Sequence, residues 1–325
     1  MTDAGQKRIL IIKHGALGDF VLATGPFQAL REHHADDHIT LLTTPFFEDL
    51  ARDSGYFDDI WLDSRPKIWQ PGALWEFRNR LNRSGFTRIY DLQTSGRSSL
   101  YYKLLKQPRP EWSGIAEGCA LPHDNAFRDE MHTIDRQAEQ LAICGIDNVP
   151  PPNLDWLQGD SGRFEMPARY ALLVPGGSAH RPGKRWPATA YRELSRHMID
   201  KCGVTPVLIG SKDEISVCQE IAFDLPQVRD LCGRTTLGDV VTLARGAEVT
   251  IGNDTGPMHM IAVTGCKSVV LFSTDSDPDL CAPRGDNVTV LSALMTAGIA
   301  FLDVVDSAGL NDGEGGGIVA RVVKV

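Results

Sequence analysis

No stretch of this 325-residue chain is apolar for long enough to cross a bilayer. A spanning helix takes about 18–20 apolar residues, and runs such as ILIIK at 9–13 or KSVVLFS at 267–273 stop well short. The amino-terminal MTDAGQKRILIIKHGALGD offers no small-residue cleavage site, so it reads as the approach to a first strand and not as a signal peptide. A CxxC pair is missing as well. The seven cysteines (119, 144, 202, 218, 232, 266 and 281) are odd in number and scattered. That predicts reduced thiols in a cytoplasm and argues against a disulfide frame or a zinc site. Positive charge is not in excess: 33 Lys and Arg face 42 Asp and Glu, for a net −9, which argues against a general nucleic-acid binder. What remains is an ordinary globular composition, 42% hydrophobic and 23% charged, in a length that suits two domains of about 150 residues each.

The chain alternates short β-rich runs with helical stretches. ILIIK (9–13), ITLLTT (39–44), DDIWL (58–62) and RIYDLQ (88–93) read as strands of a first half. FVLATGPFQALREHH (20–34) reads as a helix kinked near Gly25-Pro26, and HTIDRQAEQLAICGI (132–146) as the helix that closes this half. Residues 149–169 hold four prolines and form the best linker. The pattern then restarts. YALLVPGG, TPVLIG, EVTIG and KSVVLFS read as strands, with helices over 188–203, 213–225, 235–247 and 257–265 between them. Two βαβα runs predict two doubly wound α/β domains, 1–155 and 165–300. A Gly-rich tail, 301–325, follows; it contains a candidate terminal strand and could return to the first domain.

Ligands of such folds bind beyond the carboxyl ends of the strands, so the polar turns there carry the chemistry. KHGALGDF (13–20) is not GxGxxG, and its Asp19 is wrongly charged for a dinucleotide pyrophosphate. Asp19 is either a plain first-turn carboxylate or a general base aimed into a cleft. VPGGSAHRPGKRWP (174–187) places small residues and Ser178 after a strand and Lys184 before a helix. Small residues admit a phosphate to the backbone and a cation neutralises it, although the P-loop spacing fails. In GSKDE (210–214) an acid after a strand can accept from ribose hydroxyls, or can simply start the next helix. In IGNDTGPMHM (251–260) a Thr cap and an early Pro explain part of the turn. Asn253, Asp254 and His259 are left over, in a turn suited to a diphosphate and sugar hydroxyls. DSDPD (275–279) lacks the EF-hand pattern, and its proline points to a loop rather than a cation site. Residues 78–109 hold eight basic side chains and one acid, either a solvated face or a surface for an anionic headgroup.

The order of ILIIKHGALGD, DLQTSGRSS, PGGSAHRPGKRWP and CGRTTLGDVVTLARGAEVTIGNDTGPMH resembles the ADP-heptose:lipopolysaccharide heptosyltransferase family over roughly residues 8–285. GNDTGPMH is the most specific block, then GALGD, then KRWP. The resemblance implies a GT-B fold, two Rossmann-like domains facing across a cleft, with acceptor held by the first and nucleotide sugar by the second. It implies inverting, metal-independent transfer with no cofactor beyond an ADP-heptose co-substrate. By motif position Asp19 is the base. Ser178, Lys184, Glu214, Asp254, Thr255, Gly256 and His259 hold the donor, and Arg97 and Arg136 meet an anionic glycolipid or glycan acceptor. A cytoplasmic enzyme with peripheral contact to the inner membrane fits this picture. Two departures stand out: Gly15-Ala16 replaces the family's usual serine pair, and the segment after about 290 matches no family pattern. The rivals are a same-fold transferase with another nucleotide sugar and a silent nucleotide-sugar binder; a dehydrogenase is disfavoured by the missing GxGxxG.

Overall fold

In the computed structural model, which describes residues 5–67, 69–177, 181–310 and 321–324, the chain divides into two compact units, residues 1–152 and 153–325. Strands of the first are β1 (Arg8–Ile12), β2 (His38–Thr43), β3 (Asp59–Leu62), β4 (Arg88–Asp91), β5 (Glu111–Gly114) and β6 (Leu121–Pro122). They form one parallel sheet in the order β3-β2-β1-β4-β5-β6. Ile9 to Ile12 are all fully buried, as a central parallel strand covered by helices on both faces requires.

The second unit holds β7 (Tyr170–Val174), β8 (Thr205–Leu208), β9 (Arg229–Asp230), β10 (Val249–Asn253), β11 (Ser268–Ser273), β12 (Val288–Ala293) and β13 (Arg321–Lys324). Their order is β13-β12-β11-β10-β7-β8-β9, parallel except for β13, which runs antiparallel against β12. The candidate terminal strand is therefore present. The helix Phe301–Ala308 buries Val304, Val305 and Ala308 in the core of this same unit. The stretch read as a linker also packs here: Leu154, Leu157 and Phe164 are buried, and Arg245 donates to the carbonyls of Leu154 and Leu157.

Each sheet reverses its strand order once, between β1 and β4 and between β7 and β10. Chain ends that diverge there leave a crevice, the usual ligand position in open α/β sheets. Both expected binding turns, after β1 and after β10, open at such a point.

Three expectations are corrected. The helix over 20–34 is two helices, Leu17–Leu22 and Thr24–His33, and the break sits at Ala23. Pro26 has no N–H for the Leu22 carbonyl, so the ladder fails one turn before the proline. The helix over 188–203 is α-helical only to His197, then makes a π turn to Cys202 and stops at Gly203, whose φ is +61°. The cysteines are not all thiols: Cys218 and Cys232 are disulfide-bonded with Cα atoms 6.7 Å apart. The helix Ile215–Ala222 crosses back over the sheet, so its buried Cys218 meets the exit of β9. A separation of 14 residues set by such a crossover leaves no spacing signature.

Candidate active site

In the first unit the turn after β1 is tied to the turn after β4 across the point of reversal. Lys13 Nζ donates to the Leu92 carbonyl at 3.3 Å, and the His14 N–H donates to Gln93 Oε1 at 2.8 Å. Gly15 follows with φ +97°, and a Cβ there would sit 2.3 Å from the Phe47 ring, so both backbone and space call for glycine. Asp19 lies in the first turn of the next helix and accepts the Ala16 N–H at 3.2 Å, which is the plain first-turn role. It also lines a polar cavity of about 60 Å³ with Lys13, Gln93, Thr94, Arg128, Arg136 and Gln140. One carboxylate thus shares a small space with three cations. Burial pushes the Lys13 ammonium below its usual value and Arg136 adds to that, while Asp19 and Asp91 pull it back.

One residue before the cavity-lining Leu92, Asp91 is fully buried, its Oδ1 accepting the N–H groups of Gln93 and Thr94 at 3.1 and 2.9 Å. Burial pushes its carboxyl up to about 6 against the pull of Ser98 and those amides. Beside it, His14 Nε2 lies 3.0 Å from Asp63 Oδ2, which also accepts the Tyr101 hydroxyl at 2.6 Å. Arg97 is half-buried and reaches the Pro66 carbonyl at 3.5 Å. Arg97 is not among the residues lining the Asp19 cavity, whereas Arg136 is.

In the second unit the equivalent tie is Asn253, the fully buried last residue of β10. Its Nδ2 donates to the carbonyls of Pro175 and Gly176 at 2.8 and 3.0 Å. Its Oδ1 accepts the Trp186 N–H at 3.0 Å and the Tyr191 hydroxyl at 3.1 Å. All four hydrogen-bonding directions of the amide are used. The turn therefore holds the KRWP segment and the β7 turn in one frame, which explains Asn253 by structure alone. Asp254, the next residue, pairs with Lys184 at 2.7 Å and accepts the Ser276 hydroxyl. Thr255 is the N-cap of the helix Gly256–Ala262, yet its hydroxyl makes no cap bond and is buried without a hydrogen-bond partner among the described residues. His259 is buried in the same helix. Glu214 leans over the β7 turn: Oε1 accepts the Gly177 N–H at 3.2 Å and Oε2 the Ser211 N–H at 2.6 Å. A Cβ at Gly176 would lie 2.0 Å from that carboxylate, so only glycine lets Glu214 approach.

A family model described as "Glycosyltransferase family 9 (heptosyltransferase)" matches residues 74–301. The chain belongs to glycosyltransferase family 9. It is a glycosyltransferase with two Rossmann-like α/β sheets in the GT-B class of fold. Lipopolysaccharide heptosyltransferase 2 of Escherichia coli (strain K12) is 33% identical over 321 residues, covering 87% of each protein. Lipooligosaccharide heptosyltransferase 2 of Haemophilus ducreyi is 27% identical over 312 residues, covering 87% of this chain and 88% of that one. Among solved structures, the glycosyl transferase family 9 protein of Veillonella parvula DSM 2008 superposes with TM-score 0.77 at 19% identity, covering 93% of this chain and 96% of that one. E. coli heptosyltransferase WaaC with ADP superposes at 0.70 and 18% identity, covering 92% and 98%.

Six of the residues named from sequence fall into two groups at the two strand reversals. Asp19 and Arg136 share the first, and Lys184, Asp254, Thr255 and Gly256 the second. Ser178 lies outside the described residues. Sequence reasoning missed Lys13, Arg128 and Ser276. Lys13 carried a signal, a lone cation ending a buried strand; Arg128, in the short 3-10 turn Arg128–Glu130, carried none, and Ser276 lies inside DSDPD, a stretch weighed only as a cation site. Among the described residues no helix is long and apolar enough to cross a membrane.

Proposed function

We propose that this protein transfers a heptose, with inversion and without a metal ion, from ADP-heptose to a lipopolysaccharide-core or similar anionic glycan, in the cytoplasm. The observation that carries the reading is the pairing of chemistries at the two reversals: a carboxylate among cations after β1, and a Lys–Asp pair beside an uncapped Thr hydroxyl after β10. The Asp19 carboxylate takes the proton of an acceptor hydroxyl. The acceptor oxygen attacks the anomeric carbon from the face opposite the diphosphate. The bond from that carbon to the phosphate oxygen breaks, and ADP leaves with its electrons. Negative charge builds on the departing diphosphate, and Lys184 with the Thr255 hydroxyl and Gly256 amide are suited to meet it. That is the task a divalent ion performs in other transferases.

Asp254, released from Lys184 as the cation turns to phosphate, accepts from sugar hydroxyls. Glu214 accepts from the ribose. Arg136, with Arg128 and Lys13, meets anionic groups of the acceptor, and Arg97 is a further candidate for them. Likeness to a heptosyltransferase solved with ADP supports the nucleotide, and the relatives named as lipopolysaccharide heptosyltransferases support sugar and acceptor.

The test is a thermal-shift series with ADP, UDP and GDP, followed by turnover of ADP-heptose with a core-glycan acceptor and NMR of the new linkage. Stabilisation by ADP alone and an inverted anomer are expected, since a ligand that binds only the native state raises the melting temperature. Preferential stabilisation by UDP or GDP would overturn the donor assignment in favour of a same-fold transferase with another sugar. A retained anomer would overturn the mechanism. Stabilisation by ADP-heptose with no turnover of any acceptor would favour a silent binder.

A further inference from the structure

Arg128 lines the Asp19 cavity together with Arg136. Its side chain is only 11% exposed. Burial and then Arg136 lower its guanidinium from the ordinary value, against the pull of Asp129 and Asp91. A long cation beside a like charge keeps one direction only where a partner fixes it, and fixing it costs rotamer entropy. The turn Arg128–Glu130 is too short to do this alone. Asp129 meets Nη1 at 3.1 Å, but its side chain is 91% exposed, and such surface pairs hold weakly.

The firmer partner is His123, which follows β6 and whose side chain is fully buried. Arg128 Nε donates to His123 Nδ1 at 3.2 Å. A ring nitrogen that accepts carries no proton, so the proton of this neutral imidazole sits on Nε2. Nε2 lies 3.2 Å from Glu139 Oε1, which also accepts the Asn125 amide at 2.7 Å. Burial keeps the imidazole below its usual value, Glu139 opposes this, and Arg128 and Arg136 add to it. Glu139 belongs to the helix Thr133–Ala142, which also supplies Arg136 and Gln140 to the cavity. The guanidinium is thus moored, through one ring, to the helix that carries the second cation.

The mooring is chemically selective. A carboxylate in the place of Nδ1 would neutralise Arg128, whereas a neutral imidazole sets its direction and leaves its charge for an incoming anion. A guanidinium has five N–H donors, so bonds from Nε and Nη1 leave others for that anion.

We propose that His123 is a positioning residue: with its proton on Nε2 it holds Arg128 against the Asp19 cavity, ready for a carboxylate or phosphate of the acceptor. The proposal rests on the functional reading, in which the acceptor is an anionic glycan, and adds the residue that aims one of its cations.

Two amides separate the two ring nitrogens. In His123→Asn the side-chain oxygen stands where Nδ1 was, and in His123→Gln the amide stands where Nε2 was. His123→Gln should raise the acceptor KM about fivefold or more, the factor that one net hydrogen bond represents. The change belongs in KM and not in kcat, as a lost ground-state contact requires. His123→Asn should restore most of it, and calorimetric affinity for ADP should stay at the parent value in both. In an Arg128→Ala background His123→Gln should add nothing, because it acts through the guanidinium. A parent-like KM in His123→Gln, rescue by neither amide, or additive effects with Arg128→Ala would overturn the proposal. Nitrogen-15 NMR of the parent protein, with His123→Gln to assign the ring, gives a readout independent of turnover. A bare Nδ1 and a protonated Nε2 are expected at pH 7, and a proton on Nδ1 would also overturn the proposal. Failure of the parent protein to turn over any core glycan would instead overturn the functional reading, and the NMR result would still decide whether His123 holds Arg128.

Discussion

Lys184 and Asp254 meet at 2.7 Å with side chains only 12% and 9% exposed, so a cation and an anion share a largely dry turn. If Lys184 trades Asp254 for a diphosphate, Lys184→Ala removes a charge-assisted contact of about 1.5–3 kcal/mol. ADP affinity should then fall roughly ten- to hundredfold. Calorimetry with ADP measures this, and an unchanged dissociation constant would remove Lys184 from the donor site.

Asp19→Ala should lower turnover at least ~100-fold, the lower end for losing a general base. ADP binding should persist, because the residues proposed to hold the donor belong to the other unit. Near-normal turnover in this variant would return Asp19 to its first-turn role beside the Ala16 amide.

Transfer should continue in excess EDTA. Complete loss on chelation, restored by Mg²⁺, would revive Asp275, Asp277 and Asp279 as cation ligands. In the structure Asp277 caps the short helix Pro278–Cys281 by accepting the Asp279 N–H at 2.9 Å.

Asp91 sets a pH dependence of stability. Its carboxyl is raised in the folded state, from 3.8 to about 6. Between those values the folded chain keeps a proton that the unfolded chain has lost. Stability therefore falls as pH rises from about 4 to about 6 and stays lower above that, by roughly 3 kcal/mol for a shift near two units. Asp91→Asn keeps an oxygen for the Gln93 and Thr94 amides and removes the titration. Denaturation midpoints of the two proteins should diverge as pH rises, with the variant the more stable at pH 7. Parallel curves would refute the assignment.

Asn253→Ala should destabilise the second unit by about 2–4 kcal/mol, because a buried amide that serves four partners leaves several of them unsatisfied. A denaturant titration that shows less than about 1 kcal/mol would mean that water replaces the clamp.

The central strands were legible because parallel strands buried on both faces read as unbroken apolar runs. Ile9–Ile12 and Val269–Phe272, all fully buried, are such cases. The helix Pro71–Arg83 went unread, although Pro71 at its start and Phe77 and Leu81 four apart were available signals. Its outer face is basic, and that run of charge masks the period of its apolar residues. Glu48–Ser54 is seven residues long and buries only Leu50 and Ala51, too little for a periodic pattern. In the Asn253 turn the Thr and the Pro were legible as helix-start residues and Asn253 was left over for a ligand, whereas Asn253 is scaffold that holds the frame, and the next residue, Asp254, pairs with Lys184. Which carboxylate would meet which cation is a long-range relationship, between residues 70 apart for Lys184 and Asp254, and local sequence contains no measure of it.

Glu214 has a further consequence through the two amides it already holds. An ionised carboxylate offers about four acceptor directions; Gly177 and Ser211 occupy two, and the remaining two match a vicinal diol. A ribose would then join an existing network without evicting a backbone group. Nucleotide arrival would tighten the glycine turn and the Ser211 turn together, and slower amide hydrogen exchange at those two residues would register occupancy even where no chemistry follows.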